Sequence, residues 1–249
     1  MDNYLQNFHK FNNIFIYDFG LGNGGIGDYF KFFLIILTEC INNNIRFYQK
    51  INNIEIEKYI KLKFDQFYIT NNEIIKLKNA TIKKPNDYYH NDKYNGKLLL
   101  NEIFYFNDMV KLNLYNILPT IPNNYISIHL RLGDKFLETD IKFIVCPNNT
   151  RYYKEENLYK FIDDNSHKNI ILFCDNNAKK LEIKNKYNNI IITDAKIGHT
   201  SLINTTSKQM LDAITEFYLL SNSKLIYAAS YSGFSEMAAK FNGIQCIKD

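Results

Sequence analysis

From residue 125 onward, short apolar runs alternate with amphipathic stretches. The runs are "YISIHLRL", "NIILFCD", "NIIITD", "KLIYAAS" and "IQCI". Between them stand "YKEENLYKFIDD", "NAKKLEIKNKY", "SKQMLDAITEFYLLS" and "FSEMAAKF". The runs are brief and rich in β-branched residues, which suits buried strands; the longer stretches read as helices. Strands separated by helices do not pair through hairpins. They pair in parallel through right-handed crossovers. The second half is therefore expected to be a Rossmann-type layer of parallel sheet and helices.

The first half opens in the same way. "NIFIYDF" reads as a buried strand and "IRFYQK" as a second, with a helix from about Tyr29 to Ile41 between them that Asp28 would cap. From Ile51 to Leu118, apolar runs and the polar loop "KKPNDYYHNDKYNGK" predict mixed helix and strand. "LPTIPNN" sets two prolines and two asparagines between apolar segments, which marks a linker. The expectation is two α/β units, 1–121 and 122–249, with a mostly parallel sheet in each and the N-terminal one small.

The loop "GLGNGGIGD" contains a literal G-x-G-x-x-G at Gly20, Gly22 and Gly25. A nicotinamide dehydrogenase also needs an acidic residue at the end of the second strand, to hold the ribose hydroxyls. That strand ends in Gln49 and Lys50, which disfavours the dinucleotide reading. "DFG" at Asp18 lacks the upstream elements of a kinase, and no G-K-[ST] follows for a Walker A loop. The physical content survives. A glycine turn before a helix exposes backbone N–H groups and the positive end of the helix dipole, which suits a phosphate or a developing anion. A tight turn that only lets backbone pass closely is the competing reading.

A sharper signal is "ISIHLRLGDKFLETD", residues 126 to 140. Alternation sends His129 and Arg131 to one face at the carboxyl end of a strand. Ligands of open α/β sheets bind outside those ends. An arginine there grips a diphosphate through paired N–H bonds, with a charge that does not depend on pH. A surface salt bridge is the alternative for a lone arginine.

"HLRLGDK" resembles the H-x-R-x-G-D motif of the fucosyltransferase superfamily that includes α-1,2-, α-1,6- and protein O-fucosyltransferases. "GLGNGGIGDYFKF" resembles the N-terminal glycine loop of those enzymes. "EFYLLSNSKLIYAASYSGFSEMAA" resembles the C-terminal segment of the α-1,2 group. The three motifs come in the family's order and span nearly the whole chain. The resemblance implies a GT-B fold of two Rossmann-type domains and an inverting transfer from GDP-fucose. It implies no metal and no other cofactor. The chain contains no D-x-D, the usual carboxylate arrangement for a metal-bound nucleotide-sugar.

Carried over by position, Arg131 matches the arginine that stabilises the departing diphosphate, and His129 a residue lining the nucleotide site. Ser232 and Ser235 fall where a serine contacts phosphate, although helix capping is the commoner role for serines there. The family reads guanine with an aspartate; Glu216 stands in its place, with Asp212 one helical turn earlier. Glu138 and Asp140 are the alternative carboxylates for the base. The candidate nucleotide-sugar-binding set is completed by Gly22, Asn23, Gly24, Gly25, Asp134, Lys135, Asp175 and Phe234. The expected partners are a nucleotide-sugar donor and a glycan or glycoconjugate acceptor.

Net charge is +4, with lysines scattered and no dense basic block, so nucleic acid is not expected as a partner. The four cysteines, Cys40, Cys146, Cys174 and Cys246, form no C-x-x-C pair, which argues against a zinc knuckle. The first residues are polar and lack an apolar signal core. The longest apolar stretch, Tyr29 to Leu37, is interrupted by Lys31 and too short to span a bilayer. These features predict a cytoplasmic protein. The loop "HTSLINTTS" after Gly198 reads as a plain surface loop or a cover over the donor.

Overall fold

The chain begins with α1 (Asp2–Asn7) and β1 (Ile14–Tyr17), followed by α2 (Ile26–Asn43), β2 (Arg46–Lys50), α3 (Ile56–Tyr59) and β3 (Ile60–Leu62). Then come β4 (Tyr68–Ile69), α4 (Asn71–Ile74), β5 (Ala80–Lys83), β6 (Phe104–Phe106) and α5 (Asp108–Ile117). The second half alternates through β7 (Ile126–Leu130), α6 (Glu155–Asp164), β8 (Ile170–Cys174), α7 (Asn177–Lys186) and β9 (Ile190–Ile192). It ends with α8 (Ser207–Ser221), β10 (Ile226–Ala228), α9 (Gly233–Asn242) and β11 (Cys246–Lys248). This computed structural model describes residues 1–91, 94–137, 142, 144, 146–196 and 198–249.

Two parallel sheets result, ordered β4-β2-β1-β5 and β11-β10-β7-β8-β9. A small antiparallel pair, β3-β6, accompanies the first. This is a two-domain α/β architecture with largely parallel sheets, the GT-B-like class expected from the sequence. Every residue of β7 and β8 is buried, as parallel strands covered on both faces require. Alternation then sorts the side chains. Ile126, Ile128 and Leu130 pack with Leu158 and Ile162 of α6 and Ile183 of α7. Ile171 and Phe173 turn the other way, into a larger core built with α2, α8 and α9.

That larger core crosses between the halves, and α2 explains how. The helix is apolar on nearly all sides because it lies between the first sheet and α9. On one side Phe33 meets Phe47 of β2 at 4.8 Å and Phe104 of β6 at 4.6 Å. On the other, Phe30 meets Phe217 of α8 at 5.2 Å and Phe241 of α9 at 6.0 Å. Such aromatic pairs add about 0.5–1.5 kcal/mol each beyond their buried area.

The start of α2 differs from expectation. Gly25, not Asp28, is the N-cap residue, and Asp28 sits in the first turn, where its carboxylate accepts the Gly25 N–H at 3.3 Å. Glycine has no side chain to complete a capping box, so the acid alone reaches back to the N-cap N–H, and the helix starts three residues upstream of the expected position.

Chain order also fixes where ligands can bind. In the second sheet β8 and β9 extend to one side of β7, and β10 and β11 to the other. The reversal leaves a crevice beyond the carboxyl ends of β7 and β10. In the first sheet β2 and β4 lie on one side of β1 and β5 on the other, and the glycine loop leaves β1 at that reversal. These are the switch points at which open α/β sheets hold ligands.

Candidate functional site

Arg131 follows β7 directly, and its backbone is fixed to the segment after β10. The Arg131 N–H donates to Ser230 Oγ at 2.8 Å, and that hydroxyl donates back to the Arg131 carbonyl at 2.8 Å. The guanidinium lies between two carboxylates: Asp175, past the end of β8, at 3.0 Å, and Asp134 in a short ion pair. Asp175 also accepts the N–H groups of Leu132 at 2.8 Å and Gly133 at 3.2 Å. Burial pushes the Asp175 carboxyl up, while Arg131 and the two amides pull it down. Gly133 turns with φ +107°, and a side chain there would strike the Asn149 carbonyl. The turn thereby brings Asn149 and Arg151 beside Leu132, whose carbonyl accepts the Arg151 N–H at 2.8 Å.

Two helix N-termini converge on the same place. The first turn of α2, from Gly25 to Asp28, and the start of α9, from Ser232 to Phe234, line one cleft of about 590 Å³. A side chain on Gly27 would run into the backbone of Gly233, so the two helices touch main chain to main chain. The Ile26 N–H donates across the halves to Thr200 Oγ1 at 3.1 Å. Both helix dipoles present their positive ends to the cleft, an arrangement that favours an anion. Ser232 Oγ accepts the Phe234 N–H at 3.2 Å as the N-cap of α9, and Ser235 Oγ donates to the Ser232 carbonyl at 3.1 Å.

Two histidines, His129 buried and His199 half-buried, face this cleft in the neutral form. His129 stacks on Phe234, with ring centroids 5.2 Å apart, and its Nδ1 has no partner among the described residues. Burial, with the Arg131 charge, lowers its pKa to about 3. His199 accepts the Ser201 N–H on Nδ1 at 3.3 Å and turns Nε2 toward Asp134 at 4.0 Å. Burial and Arg131 lower its pKa to about 4, against the opposing pull of Asp134 and Asp28.

Of the residues singled out from the sequence, Gly25, His129, Arg131, Asp134, Asp175, Glu216, Ser232 and Phe234 line the cleft. Gly22, Asn23, Gly24, Lys135, Asp212 and Ser235 are not part of that lining. Gly22 and Gly24 shape the loop with φ of +84° and +114°, and Asn23 folds it by accepting the Gly20 N–H at 2.8 Å. Asp212 is fully buried and committed to Asn113 Nδ2 at 2.8 Å, the Lys196 N–H at 2.9 Å and Lys208 Nζ. Glu138 and Asp140 lie outside the described residues. At the end of β2, Gln49 donates to the Tyr29 hydroxyl at 2.7 Å and Lys50 pairs with Asp18 at 3.2 Å.

Lys31, Tyr89, Arg151, Lys196, His199 and Thr200 also line the cleft and were not in the sequence-derived set. Only the loop holding His199 and Thr200 carried a hint, its position after Gly198. Among the described residues no group of three or more His, Cys, Asp or Glu is placed to hold a metal ion. No helix among them is long and apolar enough to cross a membrane.

No family model matches the chain, and no curated protein does. Solved structures do. A NodZ alpha-1,6-fucosyltransferase soaked with GDP-fucose aligns at 8% identity over 92% of each chain, with a TM-score of 0.54. The NodZ enzyme co-crystallised with GDP aligns at 10% identity over 91% of each chain, with a TM-score of 0.54. Fucosyltransferase NodZ from Bradyrhizobium aligns at 9% identity over 91% of this chain and 92% of that one, with a TM-score of 0.53. At such identities the likeness is one of fold. The chain has a GT-B-like fold that resembles NodZ-type fucosyltransferases over most of its length.

Proposed function

We propose that the chain is an inverting, metal-independent glycosyltransferase that transfers fucose from GDP-fucose to a glycan hydroxyl. Residues 122–249 would bind the donor and residues 1–121 would form the acceptor side. One observation carries the reading. Arg131, braced by Asp134 and Asp175, faces a cleft that also receives the N-termini of α2 and α9. Fixed positive charge and oriented amides suit a leaving diphosphate. The fold resemblance to enzymes crystallised with GDP and GDP-fucose supports the same ligand class.

In this mechanism a carboxylate, Glu138 or Asp140, takes the proton of the acceptor hydroxyl. The acceptor oxygen attacks the anomeric carbon from the face opposite the bond to GDP. Negative charge grows on the departing diphosphate, and Arg131 stabilises it. His129 and Phe234 would flank the nucleotide, and Glu216 would accept from the base. The replacement of Glu138 and of Asp140 by alanine in turn identifies the base: the relevant variant loses kcat while GDP binding stays intact.

A thermal-shift panel of GDP, UDP, ADP and dTDP tests the donor. GDP is expected to raise the melting temperature most; no response to GDP overturns the fucose reading. Turnover of labelled GDP-fucose with a glycan acceptor screen tests the chemistry. Binding with neither transfer nor hydrolysis would make the chain a nucleotide-sugar-binding protein.

A further inference from the structure

Lys180 stands apart from the Arg131 cluster and is costly to explain by packing alone. It lies on α7 with 1% of its surface exposed, and its Nζ makes no hydrogen bond among the described residues. An ammonium group buried without hydrogen bonds is expensive, and an apolar side chain of similar length would fill the space. Its ion-pair partner is Oε1 of Glu216 on α8, at 3.7 Å. Thr193, just past β9, donates its hydroxyl to the same oxygen. Glu216 lines the cleft, and its Oε2 has no partner among the described residues. The other acid of α8, Asp212, is committed to contacts within the fold.

Resting on the nucleotide-sugar reading above, we propose that Lys180 is a positioning residue for base recognition: with Thr193 it holds Glu216 turned so that its carboxylate meets the N–H edge of guanine. An ionised carboxylate only accepts hydrogen bonds. Guanine offers two neighbouring donors on one edge, N1–H and the N2 amino group. Adenine and uracil present donors beside acceptors on the same edge. A carboxylate locked by a cation on one oxygen, with the other oxygen open, rewards the edge made of donors. The same lock explains why a buried ammonium is retained at this position.

Binding of GDP and of inosine diphosphate, which lacks only the N2 amino group, tests the proposal. The wild-type chain is expected to prefer GDP about tenfold, the value of one charge-assisted hydrogen bond. In Lys180→Met both nucleotides bind more weakly, but GDP loses about tenfold more than inosine diphosphate, which has only the N1–H contact to lose, so the ratio approaches one. The donor KM rises while kcat at saturating donor is largely kept, and Lys180→Arg restores part of the GDP preference. An ion pair that serves folding alone would lower the melting temperature and weaken both nucleotides equally. That result overturns the proposal. Should Lys180→Met fail to fold, Thr193→Val probes the same carboxylate, with the same loss of GDP preference expected and an unchanged ratio counting against it. If the wild-type chain binds neither nucleotide, the nucleotide-sugar reading falls and this one with it. If it binds GDP and the ratio survives both variants, only the role of Lys180 falls.

Discussion

In the second half, charged side chains face the cleft from strand ends and helices: Arg131 after β7, Asp175 after β8, Glu216 on α8. In the first half the wall is largely backbone, the turn from Gly25 to Asp28 at the start of α2, with Lys31 and Tyr89 beside it. The contrast follows from what each kind of group needs. A buried charge must be held by partners, and a fully buried parallel sheet supplies rigid strand ends to anchor them. A helix terminus needs only access, and glycine provides it. One half thus supplies charge and the other supplies closeness.

The sharpest way to break this division is Arg131→Ala. Loss of a group aimed at developing charge typically lowers turnover by about 10²–10³. Steady-state kinetics with GDP-fucose would show it, and near wild-type turnover would move the catalytic charge elsewhere. Gly27→Val attacks the opposite wall. It forces α2 away from α9 at an overpacking cost of about 1–3 kcal/mol. Denaturant unfolding measures that cost, and an unchanged midpoint would mean that the halves do not touch as described.

The third prediction concerns acid. Both cleft histidines have folded pKa values below the usual 6.5, about 4 for His199 and about 3 for His129. The unfolded chain therefore binds protons first as pH falls. Their stabilising effect is complete above pH 6.5. It is lost as pH falls toward 4 for His199 and toward 3 for His129, at about 1.4 kcal/mol per pH unit per histidine. Unfolding at pH 7 and pH 5.5 should show a shallower pH dependence when both are replaced by asparagine. An identical slope would place the acid sensitivity outside the cleft. The smallest effect belongs to Ser232→Ala, which removes the cap of α9 at a cost of about 1 kcal/mol. If GDP affinity is unchanged in that variant, the hydroxyl serves the helix and not the phosphate.

The same contrast marks what could be read in advance. The second half was legible because buried parallel strands are written as continuous apolar runs, separated by helices long enough to show their period. The β3-β6 pair was not. Its strands are three residues each, too short for periodicity, and some forty residues separate the partners in the chain. Asp212 and Glu216 lie one turn apart on α8, and only tertiary contacts, the docking of α5 among them, distinguish them. Asn113 of that helix claims Asp212, while Glu216 is left facing the cleft. Arg151, His199 and Thr200 sit in polar loops with no pattern of their own. Arg151 reaches the cleft through the turn at Gly133, and Thr200 through its bond to Ile26.

The meeting of α2 and α9 is unequal in a way that matters for change. A side chain added at Gly27 strikes the main chain of Gly233, yet one added at Gly233 finds ordinary contact distances. A single absent methyl group, on one partner only, therefore acts as the gauge that sets how near the halves stand. Substitution at position 233 can alter the surface of the cleft while its width is kept, whereas any substitution at position 27 must re-space the whole molecule.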